Sequence, residues 1–223
     1  MIAFLDAEFW GIVSITMQMT LSSTIISTIL GIPLGLWLQS ANFRGKGLIV
    51  NINRTLMAAP PVVVGLVVYL LLMRNGLAGS LGWLFTLQAM IIAQVIIITP
   101  IVCATVYSAA EQSANSIRAF AFTMGASKIQ TLRLVIKELS PGIYFAIVVA
   151  FGRAMSEVGA IMIVGGNIRH RTRTMTTAIT MLRGQGDFQT AIWFGIFLML
   201  VAFILQILAH FITRKGRLRN ENI

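Results

Sequence analysis

What most constrains this chain is a succession of apolar runs, several of them beyond the ~18 residues at which a membrane-spanning helix becomes the default reading. Five spans can be drawn, over residues 10–38, 55–73, 83–107, 141–164 and 188–213. The expected fold is an all-α integral membrane protein, a single transmembrane domain over residues 1–223 with no soluble domain and no internal repeat.

The first span holds more Thr, Ser and Gln than a lipid-facing helix would, so part of it should face protein. Gly31, Pro33 and Gly35 are expected to bend its end. Pro60 and Pro61 stand near the start of the second span, where two missing backbone donors fit either a plain helix start or a functional break. GLAGSLGW at 76–83 reads as a loop with an interfacial tryptophan, and Pro100 as a kink in the third span. Ser140 and Pro141 form a start signal, an N-cap followed by proline at the first helical position. The 24 residues from Pro141 to Val164 make roughly 36 Å of helix, enough to cross with tilt, before Gly165-Gly166-Asn167 ends it.

Charge then orients the spans. Only 11% of residues are charged, against about 25% in soluble domains, and the net charge is +10. No basic stripe lies on a soluble domain, which argues against a nucleic-acid partner; Lys and Arg cluster between and beyond the spans. With the N-terminus outside, the inner segments hold eleven of the seventeen and the outer segments five, which puts the C-terminus, its basic tail and the 109–139 segment in the cytoplasm. The N-terminal MIAFLDAEFW lacks the basic region of a signal peptide, so the first span is expected to be retained. Cys103, the only cysteine, sits in an apolar run and reads as a small buried residue.

The 109–143 segment, AAEQSANSIRAFAFTMGASKIQTLRLVIKELSPGI, is the longest break between strongly apolar runs. Ile117, Phe120, Ala121 and Met124 have the spacing of one apolar stripe on a short helix. Gly125 permits a left-handed turn, and Ser127 with Gln130 has capping-box spacing for a second helix with Ile129, Leu132 and Ile136 on one face. Two short helices hinged at a glycine make a handle for a soluble partner.

Arg153 and Glu157 are the only charges well inside a span, one turn apart with Ser156 beside them. They read either as an ion pair locking helices together or as part of a hydrated path in which Arg153 favours an anion. Outside, Arg169, Arg171 and Arg173 fall within five positions after Asn167, with Thr172, Thr174, Thr176 and Thr177 nearby. Arginine forks and hydroxyls suit a tetrahedral oxyanion or an acidic protein surface, and a solvated or headgroup-bound cluster is the plainer reading. Met175, Ile179 and Leu182 mark a short helix lying against the bundle.

The 109–143 segment resembles the cytoplasmic signature loop of ABC-importer permeases: Glu-Ala-Ala, three residues, Gly, nine residues, Ile, one residue, Leu-Pro. With its glycine on Gly125, the first triplet falls on Ala119, Phe120 and Ala121, the isoleucine on Val135, and Leu-Pro on Lys137 and Glu138. The glycine, the last alanine and an aliphatic residue are kept; the initial Glu and the Leu-Pro are not. MAAPPVVVGL at 57–66, GRAMSEVGAIMIVGGNI at 152–168 and the RTRTMTTAI run after it are similar to the molybdate, tungstate and sulfate branch. The missing Leu-Pro and the short chain look most like the tungstate permeases.

The resemblance implies a multi-pass permease of the cytoplasmic membrane, working as a homodimer in the lipid bilayer. Two ATPase subunits would grip Ile117, Phe120, Ala121, Met124, Gly125 and Ala126 in the 109–139 coupling loop. A translocation path would run past Arg153, Ser156 and Glu157. An extracytoplasmic substrate-binding protein would dock on a vestibule in the 165–187 loop at Asn167, Arg169, Arg171 and Arg173. The chain itself would bind no cofactor, with ATP on the partner subunit; it has no phosphate loop ending in Gly-Lys-Ser/Thr. His170 and His210 lack metal-ligand neighbours, and His210 is placed to meet a helix dipole. A passive anion channel, or a membrane enzyme built on Arg153, Glu157 and His170, are the other readings; neither catalytic spacing nor a metal site supports the enzyme.

Overall fold

A computed structural model describes residues 7–220, and their side chains as far as 204 together with 206 and 207. The reading of the first six residues, the dipole role of His210 and the basic tail lie outside those described residues or side chains. Every regular element among the described residues is helical. The helices are α1 (Ala7–Ser40), α2 (Lys46–Met57), α3 (Pro61–Leu72), α4 (Leu87–Thr123), α5 (Lys128–Glu138), α6 (Ser140–Met155), α7 (Gly159–Gly165), α8 (Met175–Gln185) and α9 (Phe188–Asn220).

By length and apolar character α1 and α4 can each cross a membrane. The pairs α2 with α3, bent by 97°, and α5 with α6, bent by 59°, bring the number to as many as four. The apolar part of α9, Phe188–Ile204, is shorter. Against the five expected spans, the described residues thus give two to four helices or bent pairs able to cross, with the last expected span represented by a shorter apolar helix. Pro61 takes the first position of α3, the plain helix start, and Pro60 stands as its N-cap at the bend from α2. The expected span over 55–73 is corrected accordingly, since Thr55, Leu56 and Met57 belong to the helix before the bend.

The core is built around α4, which packs along most of α1 and also meets α6, α2, α7 and α3. Met90, Ile98, Val102 and Val106 of α4 are buried against Met19, Val68, Ile161 and Val164. Cys103 is buried there as a small residue. The hydroxyl-rich face of α1 looks inward as expected, with Thr16, Thr20, Ser23, Thr24 and Ser27 all buried. The helix α1 continues unbroken through Pro33 to Ser40, and Gly31 and Gly35 within it have a packing role. A Cβ on Gly35 would lie 2.7 Å from the Cys103 carbonyl oxygen, and one on Gly31 2.7 Å from Val102 Cβ. Spaced four apart, the two glycines let the backbones of α1 and α4 touch.

Substituting Gly35→Ala therefore forces these helices apart. It is expected to cost about 1–3 kcal/mol, the range of overpacking a tight site. Gly47→Ala, where an added Cβ meets nothing, is the control that should melt no lower than wild type in detergent.

Candidate functional site

The expected two-helix handle has a different construction from the one its periodicity implies. Its first half is the far end of α4, which runs unbroken through AAEQSANS to Thr123. The drop in hydropathy at Ala109 ends the apolar stretch and leaves the helix intact, because no glycine or proline follows until Gly125. Gly125 then takes φ +68°, the turn that only glycine adopts without strain. Ser127 starts α5 with a complete capping box: its backbone N–H donates to Gln130 Oε1 at 2.8 Å, and its hydroxyl accepts from the Gln130 N–H at 3.4 Å.

The stripe itself divides. Ala121 is buried and Ile117 half-buried against the core, whereas Phe120 is 61% and Met124 71% exposed. Phe122, outside the stripe, is the most exposed of the group at 84%. Ile129, Leu132 and Ile136 of α5 are exposed as well, and Ala126 is half-buried. The free end of α4 and the outer face of α5 thus carry an apolar surface that no other described residue covers.

A second arrangement lies inside the bundle. The span expected over 141–164 is broken at Ser156–Val158, so Arg153 closes α6, Ser156 is its C-cap and Glu157 lies in the gap before α7. The three residues do not share one continuous helix. The ion pair nonetheless forms, Arg153 Nη1 to Glu157 Oε2 at 2.8 Å. A helix broken in an apolar bundle frees backbone groups that must be paired. Glu157 Oε1 accepts the Ala160 N–H at 3.2 Å, Gln94 Nε2 donates to the Ala154 carbonyl at 2.7 Å, and Thr176 donates to the Glu157 carbonyl at 2.9 Å. Ser23 in turn donates to Gln94 Oε1 at 2.5 Å. The knot ties α1, α4, α6, α7 and α8 at one level. Glu157 is enclosed, its side chain 4% exposed, while that of Arg153 is 34% exposed. From sequence Gln94 is not singled out, although a lone amide within IIAQVIIIT carries the signal, and Thr176, expected beside the arginines as a ligand donor, bonds the backbone here instead.

At the opposite end from Gly125, the arginine loop closes onto the start of α1. Arg169 bonds Glu8 through Nε at 2.9 Å and Nη2 at 2.5 Å, and Arg173 Nη1 reaches Glu8 at 3.3 Å. Arg171 is exposed, and Asn167, at φ +50°, is half-buried. The threonines are not free donors for a ligand, as their sequence positions implied. Thr172 donates to the Gly165 carbonyl at 2.5 Å, and Thr174 and Thr177 form the capping box of α8. That helix packs on α9 and α1 through Met175, Ala178, Phe194 and Phe9, as the Met175, Ile179, Leu182 spacing predicts. His170 is a loop residue at φ +62°. No group of three potential metal ligands occurs among the described residues.

The family described as binding-protein-dependent transport system inner membrane component matches residues 31–217. The chain belongs to this family of ABC-transporter permeases. It is 37% identical over 201 residues to the tungstate uptake system permease protein TupB of Peptoclostridium acidaminophilum, covering 90% of this chain and 88% of that protein. A probable anion ABC transporter permease protein of Haloferax volcanii is 38% identical over 193 residues, covering 84% of this chain and 83% of its own. In fold the permease is similar to a chain of the methionine ABC transporter solved in inward-facing conformations, with TM-score 0.74 and 19% identity over 97% of this chain and 99% of that one. Members of this family are transporter subunits rather than enzymes.

The pairing in the gap predicts a sign. Glu157→Leu leaves the Arg153 guanidinium without its carboxylate and the Ala160 N–H without its acceptor, which should cost about 1–3 kcal/mol, less than for a fully buried pair because the guanidinium is one-third exposed. The double variant with Arg153→Leu removes that charge, so it should be destabilised by less than the sum of the two single variants; additive losses would show the two residues to be uncoupled.

Proposed function

We propose that the chain is the permease subunit of an ATP-driven importer for a tetrahedral oxyanion, tungstate before molybdate or sulfate. Two copies form the path, two ATPase subunits seat at the Gly125 end, and an extracytoplasmic binding protein delivers the anion at the Gly166 end. ATP is bound and hydrolysed by the ATPases. The N-terminus is outside and the C-terminus in the cytoplasm, with Lys128, Arg133 and Lys137 on α5 favouring the inner face for the Gly125 end.

The observation that carries this reading is the uncovered apolar surface of Phe120, Phe122 and Met124 at the end of a 37-residue helix whose other end lies in the core. Ile117 and Ala121 root this end in the bundle, while Gly125 and Ala126 set the angle at which α5 leaves it. A passive channel needs no such handle. Closure of the ATPases would push on α4 and α5 and turn the spans from inward- to outward-facing.

Inside, Arg153 is the group suited to an oxyanion. Glu157 is satisfied by Arg153 and Ala160, whereas much of the guanidinium fork of Arg153 remains for a ligand beside Ser156. Outside, Asn167, Arg169, Arg171 and Arg173 form the vestibule, where an acidic surface of the binding protein would exchange with Glu8. The choice of tungstate rests on the relatives at 37% and 38% identity, named for tungstate and anion transport.

The test is a pull-down of the tagged chain from detergent-solubilised native membrane. An ATPase should accompany wild type and be lost with Phe120→Asp and Met124→Asp together. Retention by the double variant would move the contact elsewhere, and its absence from wild type would overturn the importer reading.

A further inference from the structure

A third polar cluster, separate from the tip and the helix break, lies where the far end of α1 meets α2 and α4. Its hub is Gln39, in the last turn of α1 and 8% exposed. Gln39 Oε1 accepts from Arg118 Nη1 at 2.6 Å, its Nε2 donates to Asn115 Oδ1 at 3.1 Å, and its backbone carbonyl accepts from Lys46 Nζ at 3.0 Å. Asn115 and Arg118 are three residues apart and so share a face of α4. Lys46 opens α2 and stands 5.9 Å from the centre of the Tyr107 ring on α4. Leu38, Val50 and Tyr107 form an apolar cluster beneath it, one residue from each helix. A single uncharged side chain and its own carbonyl therefore join three helices.

The position of the cluster along α4 gives it a use. Arg118 precedes Phe120 by two residues, and α4 is continuous from Asn115 to Thr123. No hinge lies between the apolar tip and the cluster; Gly125 lies beyond both. A displacement of the tip cannot be absorbed before it reaches Gln39. On the α1 side, Gly35 already holds the two backbones in contact one turn away. We infer that Gln39 is a positioning residue that passes movement of the α4 tip to α1 and, through Lys46, to α2. This rests on the reading that an ATPase seats on the tip. An amide suits the task because it accepts one bond and donates another without a charge to desolvate, and its bond to Arg118 is of the stronger, charge-assisted kind.

The experiment uses the tagged chain purified with its ATPase from native membrane and reconstituted in liposomes with its binding protein. ATP hydrolysis and tungstate uptake are measured together. With Gln39→Leu the ATPase should still co-purify, since the tip is intact, and hydrolysis should continue. Tungstate taken up per ATP hydrolysed should fall about tenfold, the scale of a lost hydrogen bond to a charged group. Gln39→Glu keeps the acceptor for Arg118 and should restore most of the ratio. A merely structural role would lower yield and both rates in step and leave the ratio alone. A wild-type ratio in Gln39→Leu overturns the inference while the proposed function stands. If that variant does not accumulate, Arg118→Met carries the test with the same expected fall, and a wild-type ratio there overturns the inference equally. Absence of any ATPase from the wild-type preparation overturns the proposed function, and the inference with it.

Discussion

A backbone group freed inside a bundle this apolar needs a partner from the protein, and at the break in the helices those partners are supplied by side chains. The break between α6 and α7 is the clearest case. It releases the Ala154 and Glu157 carbonyls and the Ala160 amide, which are met by Gln94 of α4, Thr176 of α8 and the carboxylate of Glu157 in the gap itself. Ser23 completes the chain of bonds by reaching Gln94 from α1. With those partners in place a discontinuous helix is tolerated at the level where Arg153 stands. Without them the same sequence would favour an unbroken helix, and Arg153 and Glu157 would be an isolated pair in the less favourable order.

The second constraint is steric. Two glycines four residues apart bring α1 and α4 to backbone contact, and the hydroxyl face of α1 lies along the same seam. The pair forms a rib on which α3, α6 and α7 are assembled. Because α4 continues past the rib without a break, the exposed Phe120, Phe122 and Met124 are carried on a stiff lever whose root is the core. Gly125 and the capped α5 bend at its end.

Much of this was legible in the sequence. The inward face of α1, the Ser127–Gln130 box, the left-handed Gly125 and the amphipathic α8 each follow from local rules of periodicity and capping that tertiary context did not override. The failures have a common cause. Helix ends were placed where hydropathy fell, and hydropathy reports the solvent around a helix, not its continuity: α4 outlasts the apolar run, and α6 stops inside one. The close contact that Gly31 and Gly35 permit has no local signal, because sequence gives no view of the neighbour they admit. The threonines at 172–177 were read as ligand donors because their internal partners, the Gly165 and Glu157 carbonyls, exist only once the loop has folded back. Glu8 as the counter-charge of Arg169 and Arg173 is separated from them by most of the chain and had no local signal.

The central claim is that the free end of α4 is a seat for a soluble ATP-binding subunit. A photo-crosslinking amino acid placed at Phe122, the most exposed side chain of that end, tests it most directly in intact native membranes. The account predicts one dominant adduct, with a protein that binds ATP and is released from the membrane when this chain is absent. Adducts with lipid alone, or with a second copy of this chain, would contradict it.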